Sequence, residues 1–249
     1  MGIVIAVALQ KGGVGKSTTA ETIAAILSSR GKDVLLVDMD SQANVTFISG
    51  NSPEKTITDV LNGDIDLKDV VCHGERYDLV AADEYLANFE QSEKVEPTLL
   101  KDALEETGKE YDYIIIDTPP ALGNLLMCSL VASDYVLIPT DARPLSIKGL
   151  DALEPTLTAV KAMSKKLSVL GIVLVKYSER TILNRQMCEL LDERAQEMDT
   201  VLFKTKIREG VAVPEAQAMQ LSLIDYAPRS KPLMDYEQLV DEILAKIEG

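Results

Sequence analysis

The chain has 249 residues, 46% of them hydrophobic and 26% charged, with a formal net charge of −15. The length suits one large α/β domain over residues 1–249, and the charge argues against a protein that coats nucleic acid by overall attraction. No apolar run reaches the roughly 18–20 residues a membrane-spanning helix needs, and no basic segment precedes the first apolar run, so neither a membrane span nor a signal peptide is expected.

The first apolar run, Ile3 to Leu9, reads as a buried strand. It feeds directly into Gln10-Lys-Gly-Gly-Val-Gly-Lys-Ser-Thr-Thr19 and then a helical pattern over 18–30 that stops at Gly31. A strand, a glycine-rich turn and a helix start form the arrangement that cradles nucleotide phosphates. Gly12, Gly13 and Gly15 let the loop's backbone N–H groups, Val14 among them, curl around phosphate oxygens. Lys16 supplies a charge for the β- and γ-phosphates, and Ser17 a hydroxyl for Mg²⁺. The usual loop has glycine at its first position; here Gln10 stands there, and a second lysine, Lys11, guards the entrance.

The next strand, Val34 to Val37, ends in Asp38-Met-Asp40. Acids two apart at a strand end share a face, and two buried carboxylates need a cation beside them. A calcium loop fails at Gln42 and Ala43. Residues 50–110 are the least regular stretch, with a weaker strand candidate at Tyr77–Ala81. Tyr113 to Ile116 is a third apolar strand, ending in Asp117, the Walker B pattern of a Mg²⁺-holding aspartate. Thr118, Pro119, Pro120 and Gly123 follow it and suit a stiff switch loop. Strands at Tyr135–Pro139 and Val169–Val175 alternate with helical patterns over 147–165 and 182–198, and an amphipathic helix spans 235–247. This alternation predicts an α/β fold, a doubly wound, mostly parallel sheet with helices on both faces.

Cys72, Cys128 and Cys188 have no pair spacing and read as free thiols, and His73 as a surface or loop residue. Acidic residues crowd Asp83 to Asp112, whereas basic ones gather later, from Lys161 through Lys165, Lys176, Arg180, Arg185, Arg194 and Lys206 to Arg208. Such a cluster is either a local basic face or ordinary solvated surface.

Together these residues resemble the deviant Walker A ATPases of the ParA/MinD group, nearest its short Soj-like partition proteins. The resemblance rests on Lys-Gly-Gly-Val-Gly-Lys-Ser-Thr at 11–18, Val-Asp-Met-Asp-Ser-Gln at 37–42 and Asp-Thr-Pro-Pro-Ala-Leu-Gly at 117–123. Weaker support comes from Tyr-Asp-Leu-Val-Ala-Ala at 77–82, Phe-Lys-Thr-Lys-Ile at 203–207, Glu215-Ala216 and Tyr-Ala-Pro-Arg-Ser-Lys at 226–231. It implies a Mg²⁺-dependent ATPase, slow until a partner stimulates it. ATP would clamp two copies face to face in a homodimer, Lys11 would reach the partner's phosphates, Lys16 its own, and Thr18 the α-phosphate. Asp40 would orient the attacking water, with Ser17 on Mg²⁺ and Asp38 and Asp117 in its outer shell. Relatives of this kind bind DNA without sequence preference and are triggered by a ParB-like stimulator, so the implied place is the cytoplasm, on the nucleoid in the ATP form, with no stable membrane anchor.

The chain departs from the group at Ser41, where proline is usual, and at 208–216, where Glu209 and Ala212 replace expected arginines. The competing readings are a MinD-like ATPase cycling on membranes, an iron–sulfur ATPase, an ATP-dependent synthetase and a positioner of protein cargo. Asp235, Glu237, Asp241, Glu242 and Glu248 on the last helix would repel anionic lipid. Cys128 lacks a matching partner for a cluster, and Lys11 argues against a synthetase.

Overall fold

The computed structural model describes residues 2–90, 92, 95–107, 110–163, 166–178 and 182–249, with the side chains of 182–185 left aside. Lys165, Arg180 and the side chain of Arg185 therefore lie outside the described residues. The strands are β1 (Ile3–Val7), β2 (Val34–Asp38), β3 (Val71–Cys72), β4 (Asp78–Val80), β5 (Tyr113–Asp117), β6 (Tyr135–Thr140), β7 (Ser168–Tyr177) and β8 (Leu202–Arg208). They form one sheet in the order β3-β4-β2-β5-β1-β6-β7-β8. Every ladder is parallel except the β3–β4 edge. This is the doubly wound α/β sheet the alternation predicts.

The apolar runs are continuous because both faces of the sheet are covered. Val4, Ala6 and Ala8 enter one core, Ile5 and Val7 the other. Helix α1 (Lys16–Ser29) lies on the second face and buries Ala20, Ile23, Ala24 and Leu27 there. Short helices α2 (Asn44–Ile48), α3 (Ile57–Leu61), α4 (Ala87–Glu90) and α5 (Leu99–Glu105) fill the irregular stretch. Helices α6 (Asn124–Val131), α7 (Pro144–Met163) and α8 (Ile182–Glu197) follow, the first two burying Leu125, Leu126, Leu150, Leu153 and Leu157 in the opposite core. Helices α9 (Ala212–Ala218), α10 (Leu223–Tyr226) and α11 (Lys231–Glu248) return to the α1 side.

Several elements differ from the sequence expectation: β3 has no counterpart in it, α7 starts at Pro144 and not at 147, and β8 and α11 differ more. The run 202–207 matches no buried-strand template, yet β8 forms there. It is an edge strand, burying Phe203 and Ile207 and leaving Lys204 and Arg208 exposed, so it alternates instead of running apolar. Helix α11 starts four residues before the expected 235, because Ser230 is extended (φ −71, ψ 147) and Pro232 fits the first turn. Its apolar face is packed inside the chain, with Leu239, Val240 and Ile243 at most 2% exposed. Among the described residues no helix is long and apolar enough to cross a membrane.

Candidate functional site

The carboxyl ends of β1, β2 and β5 meet in register. Asp38 at the end of β2 pairs with Asp117 at the end of β5, and Val7 of β1 pairs with Asp117 from the other side. The loop after β1 crosses above them and enters α1 at Gly15. Gly13 (φ +75) and Gly15 (φ +76) lie in the left-handed region, which is why the loop needs glycine there. No acidic residue occupies the first turn of α1, so the free amides and the positive end of this 14-residue helix face the loop without an internal anion.

Lys16 is buried, with 6% exposure, and its ammonium donates to the Lys11 carbonyl at 3.1 Å across the loop. Burial lowers its pKa, while the charges of Asp117 and Asp40 hold it up. Asp38 is fully buried and accepts from the Asp40 N–H at 3.1 Å and from the Thr46 N–H and Oγ1, both at 2.9 Å. Burial nevertheless outweighs these donors and pushes its pKa up to about 6. Asp40 accepts from the Gln42 N–H at 3.0 Å.

Asp117 is different. It is fully buried, and neither carboxylate oxygen meets a donor in good hydrogen-bond geometry, although the Ser17 hydroxyl lies close enough to act on it. Burial, then the charge of Asp38, drives its pKa well up; Ser17 and Lys16 oppose the shift. A buried carboxylate left this way costs several kcal/mol in general, and it fits a cation or the water shell of one. Among the described residues no three His, Cys, Asp or Glu side chains converge into a complete metal cage. A magnesium ion held here would therefore complete its shell with phosphate oxygens and water, as Mg²⁺ ordinarily does.

Lys11 points away from this pocket. Its ammonium lies 2.6 Å from Asp141 Oδ1 at the end of β6 and 3.0 Å from Ser146 Oγ on α7. Ser146 also donates to Asp141, and Arg143 approaches its other oxygen at 3.5 Å. Burial raises the Asp141 pKa, but the hydrogen bonds from Lys11 and Ser146 and the charges of Lys11 and Arg143 more than reverse that and lower it. Glycine at 149 lets α7 sit against the loop entrance, since a Cβ there would meet the Gln10 carbonyl at 3.1 Å.

On the other flank, α9 closes over the loop: Gln217 Nε2 donates to Thr18 Oγ1 at 2.7 Å. Tyr236 of α11 shares a buried hydrogen bond of 3.0 Å with Thr19. Glu21, one turn into α1, is buried against Tyr77 Oη at 3.1 Å, and burial pushes its pKa up to about 7. Lys176, the penultimate residue of β7, adopts φ +52 and donates to the Gly13 carbonyl at 2.8 Å. A non-glycine residue in that region costs on the order of 1 kcal/mol.

The site thus gathers Lys16, Ser17, Asp38, Asp40 and Asp117, with Gly12 to Thr18 forming the loop, and turns the Lys11 side chain aside. Sequence reasoning missed Thr46, Asp141, Ser146 and Gln217 and gave Lys176 no role beyond its charge; Thr46 lies only eight residues from Asp38, but the others reach the loop across long sequence separations that no local pattern signals. Among the described residues, three of the basic residues gathered late in the chain are already engaged. Arg194 is surrounded by Asp151, Glu154 and Glu197, Arg208 is clamped by Asp235, and Lys206 lies over the Tyr177 ring. His73 is exposed, as expected, with its Nδ1 3.1 Å from Asp78. A recess of about 640 Å³ opens at the opposite, amino end of the central strands β1, β5 and β6; Glu110, Asp112 and Asp134 line it and would repel a triphosphate.

Comparisons with known proteins agree with this geometry. A family described as an AAA domain matches residues 2–169. The chain is 37% identical to the sporulation initiation inhibitor protein Soj of Bacillus subtilis, covering 98% of this chain and 99% of that one. It is 34% identical to the chromosome-partitioning ATPase Soj of Thermus thermophilus, covering 98% and 96%. Among solved structures it resembles the cobyrinic acid a,c-diamide synthase of Mycobacterium smegmatis with a bound ATP analogue and magnesium. That likeness has a TM-score of 0.86 at 28% identity and covers 100% of this chain and 97% of the other.

Proposed function

Since the chain belongs to the ParA/MinD family of ATPases, close to its Soj-like partition proteins, we propose that it hydrolyses ATP with Mg²⁺ as a DNA-partition ATPase. The observation that carries this is Asp117, a fully buried carboxylate without a well-formed hydrogen bond, set beside Lys16 and Ser17 beneath a phosphate-cradling loop. The loop amides of Gly12 to Thr18 bind the phosphates, and Lys16 holds the β- and γ-phosphates. Ser17 would ligate a magnesium ion, and Asp38 and Asp117 would hold it through its water shell; such an ion would supply positive charge to the transferring phosphoryl group. Asp40 orients the attacking water, its own carboxylate steadied by the Gln42 N–H.

Lys11 has a second duty. In an ATP-bound homodimer it would leave Asp141 and reach the partner's phosphates, in the manner of an arginine finger, a device worth ~10³–10⁵ in rate. Breaking a buried ion pair opposes that move, which supports a reaction that is slow until a stimulator favours the dimer. The family suggests a ParB-like stimulator and nonspecific DNA as partners, in the cytoplasm and on the nucleoid. The packed apolar face of α11 and its acidic outer residues support no membrane role for that helix. The synthase name of the structural relative carries less weight than the Soj likenesses at 34–37% identity, and a synthetase has no evident use for Lys11.

A second reading, an ATPase that positions protein cargo, is favoured by one feature. Arg208 is paired with Asp235, beside Glu209 and Ala212, so the segment that would carry basic charge is largely neutralised. DNA binding measured with ATP, ADP and no nucleotide at two salt concentrations separates the two. An ATP-only, salt-sensitive shift supports DNA partition, and no shift at low salt supports protein cargo. For the ATPase itself, Lys11→Ala is expected to remain monomeric with ATP in size-exclusion chromatography; normal dimerisation and turnover would overturn the role across the dimer.

A further inference from the structure

Three lysines surround the phosphate loop, and two of them have carboxylates nearby. Lys11 has Asp141, and Lys16 faces Asp40 and Asp117. The third, Lys176, has no ion-pair partner among the described residues; its ammonium is spent on a backbone carbonyl, that of Gly13. Reaching it requires the backbone at Lys176 to turn left-handed at the end of an otherwise extended strand. A strained backbone beside a functional loop calls for a function.

The carbonyl it holds is well chosen. Gly13 is itself left-handed, and a Cβ built on it would meet nothing within 4 Å. Sterics therefore do little to fix the peptide that joins Gly13 to Val14, and a glycine on one side lets that peptide rotate cheaply. A trans peptide is planar, so its C=O and the following N–H point in opposite directions. Whatever holds the Gly13 oxygen toward β7 turns the Val14 N–H the other way, away from β7. A charged donor on the oxygen also polarises the amide and strengthens its N–H as a donor.

We propose that Lys176 is a positioning residue for the phosphate loop: its ammonium fixes the Gly13 carbonyl and so aims the Val14 N–H at the bound phosphates. The inference rests on the ATPase reading above. Neighbouring Val175 reinforces the alignment, because its Cγ2 would lie 3.7 Å from a Cβ on Gly15, so the end of β7 abuts the loop at two places. The aimed amide serves substrate and transition state alike, so its loss weakens binding and spares the chemical step.

The test is equilibrium binding of a fluorescent, non-hydrolysable ATP analogue with Mg²⁺, together with steady-state hydrolysis, for Lys176→Met, Lys176→Arg and Lys176→Gly. Lys176→Met is expected to raise Kd and KM about tenfold, equivalent to about 1.4 kcal/mol, with kcat within about twofold of the parent. Lys176→Arg keeps a charged donor and is expected to stay within about threefold. Lys176→Gly relieves the left-handed strain, so it is expected to melt no lower than the parent while binding as weakly as Lys176→Met. Unchanged affinity in Lys176→Met, or a fall in kcat with KM intact, would overturn the proposal. Lys16→Ala is run beside them: if it binds the analogue normally, the ATPase reading itself falls, whereas lost binding there with an unaffected Lys176→Met sinks only the role of Lys176.

Discussion

The ends of β5 and β6 stand two strand spacings apart, about 10 Å across the sheet, and treat their carboxylates in opposite ways. Asp117 makes no well-formed hydrogen bond and has only the Ser17 hydroxyl and the Lys16 charge close by, while Asp141 is gripped by Lys11, Ser146 and Arg143. Both are almost wholly buried. A fold can afford one unpaired buried charge only where something else supplies the counter-charge in use. The starved end marks where a cation-bearing ligand belongs, and the saturated end marks a residue, Lys11, held out of use until it is released.

The sharpest way to break this contrast is Asp117→Asn. Removing an uncompensated buried charge is expected to raise the urea midpoint of the ligand-free protein, by about 1–3 kcal/mol of stability, while Mg²⁺-dependent ATP hydrolysis falls at least about 100-fold. A destabilised ligand-free variant would put Asp117 in the same class as Asp141. Next in size, Asp40→Ala is expected to lower turnover about 100-fold yet remain an ATP-bound dimer by size-exclusion chromatography, since the water loses its orienting base while the phosphate grip stays.

Acidity probes the starved end directly. The pKa values of Asp38, about 6, and Glu21, about 7, lie above ordinary carboxylate values, and that of Asp117 lies well above too. Between their unfolded and folded values the folded state binds more protons, so these groups favour folding at low pH and their contribution is lost as pH rises through about 4 to 7. The shift at Asp38 is worth on the order of 2–3 kcal/mol. Urea unfolding of the ligand-free protein at pH 4.5 and 7.5 should show this loss, Glu21→Gln should shrink it, and Mg²⁺-nucleotide should flatten the part due to Asp38 and Asp117. An identical pH slope with and without Mg²⁺-nucleotide would argue that no cation relieves the pair.

The smallest effect is expected at the saturated end. Asp141→Asn keeps a hydrogen-bond acceptor for Lys11 but removes the charge. It should destabilise the ligand-free protein by about 1–2 kcal/mol and favour the ATP-dependent dimer several-fold by analytical ultracentrifugation. An unchanged or weaker dimer would show that the Asp141 contact does not restrain Lys11.

What could be read in advance follows the length scale of each interaction. The loop from Gln10 to Thr19 and the acids at 38, 40 and 117 are legible because each sits at the end of an apolar run, and the run fixes both strand and direction. The parallel sheet is legible for the same reason. β8 is not, because an edge strand half open to water alternates and resembles the loops around it. Asp141, Ser146 and Lys176 are invisible one by one: Lys11 and Asp141 are 130 residues apart, and Lys176 and Gly13 are 163 apart. Their meaning exists only after the sheet has ordered its strands. The late basic residues mislead in the complementary way, since Asp151 and Glu154 beside Arg194 and Asp235 beside Arg208 come from distant elements of the chain.

The hydrogen bond between Thr19 and Tyr236 joins residues 217 apart. Helix α1, the support of the nucleotide loop, thus stays uncovered on a growing polypeptide until α11 has been synthesised and docked. Long-range contacts of this kind form late and slowly. Capture of nucleotide during translation would accordingly signal a finished chain, and a stalled ribosome would display a half-built protein unable to take up its fuel.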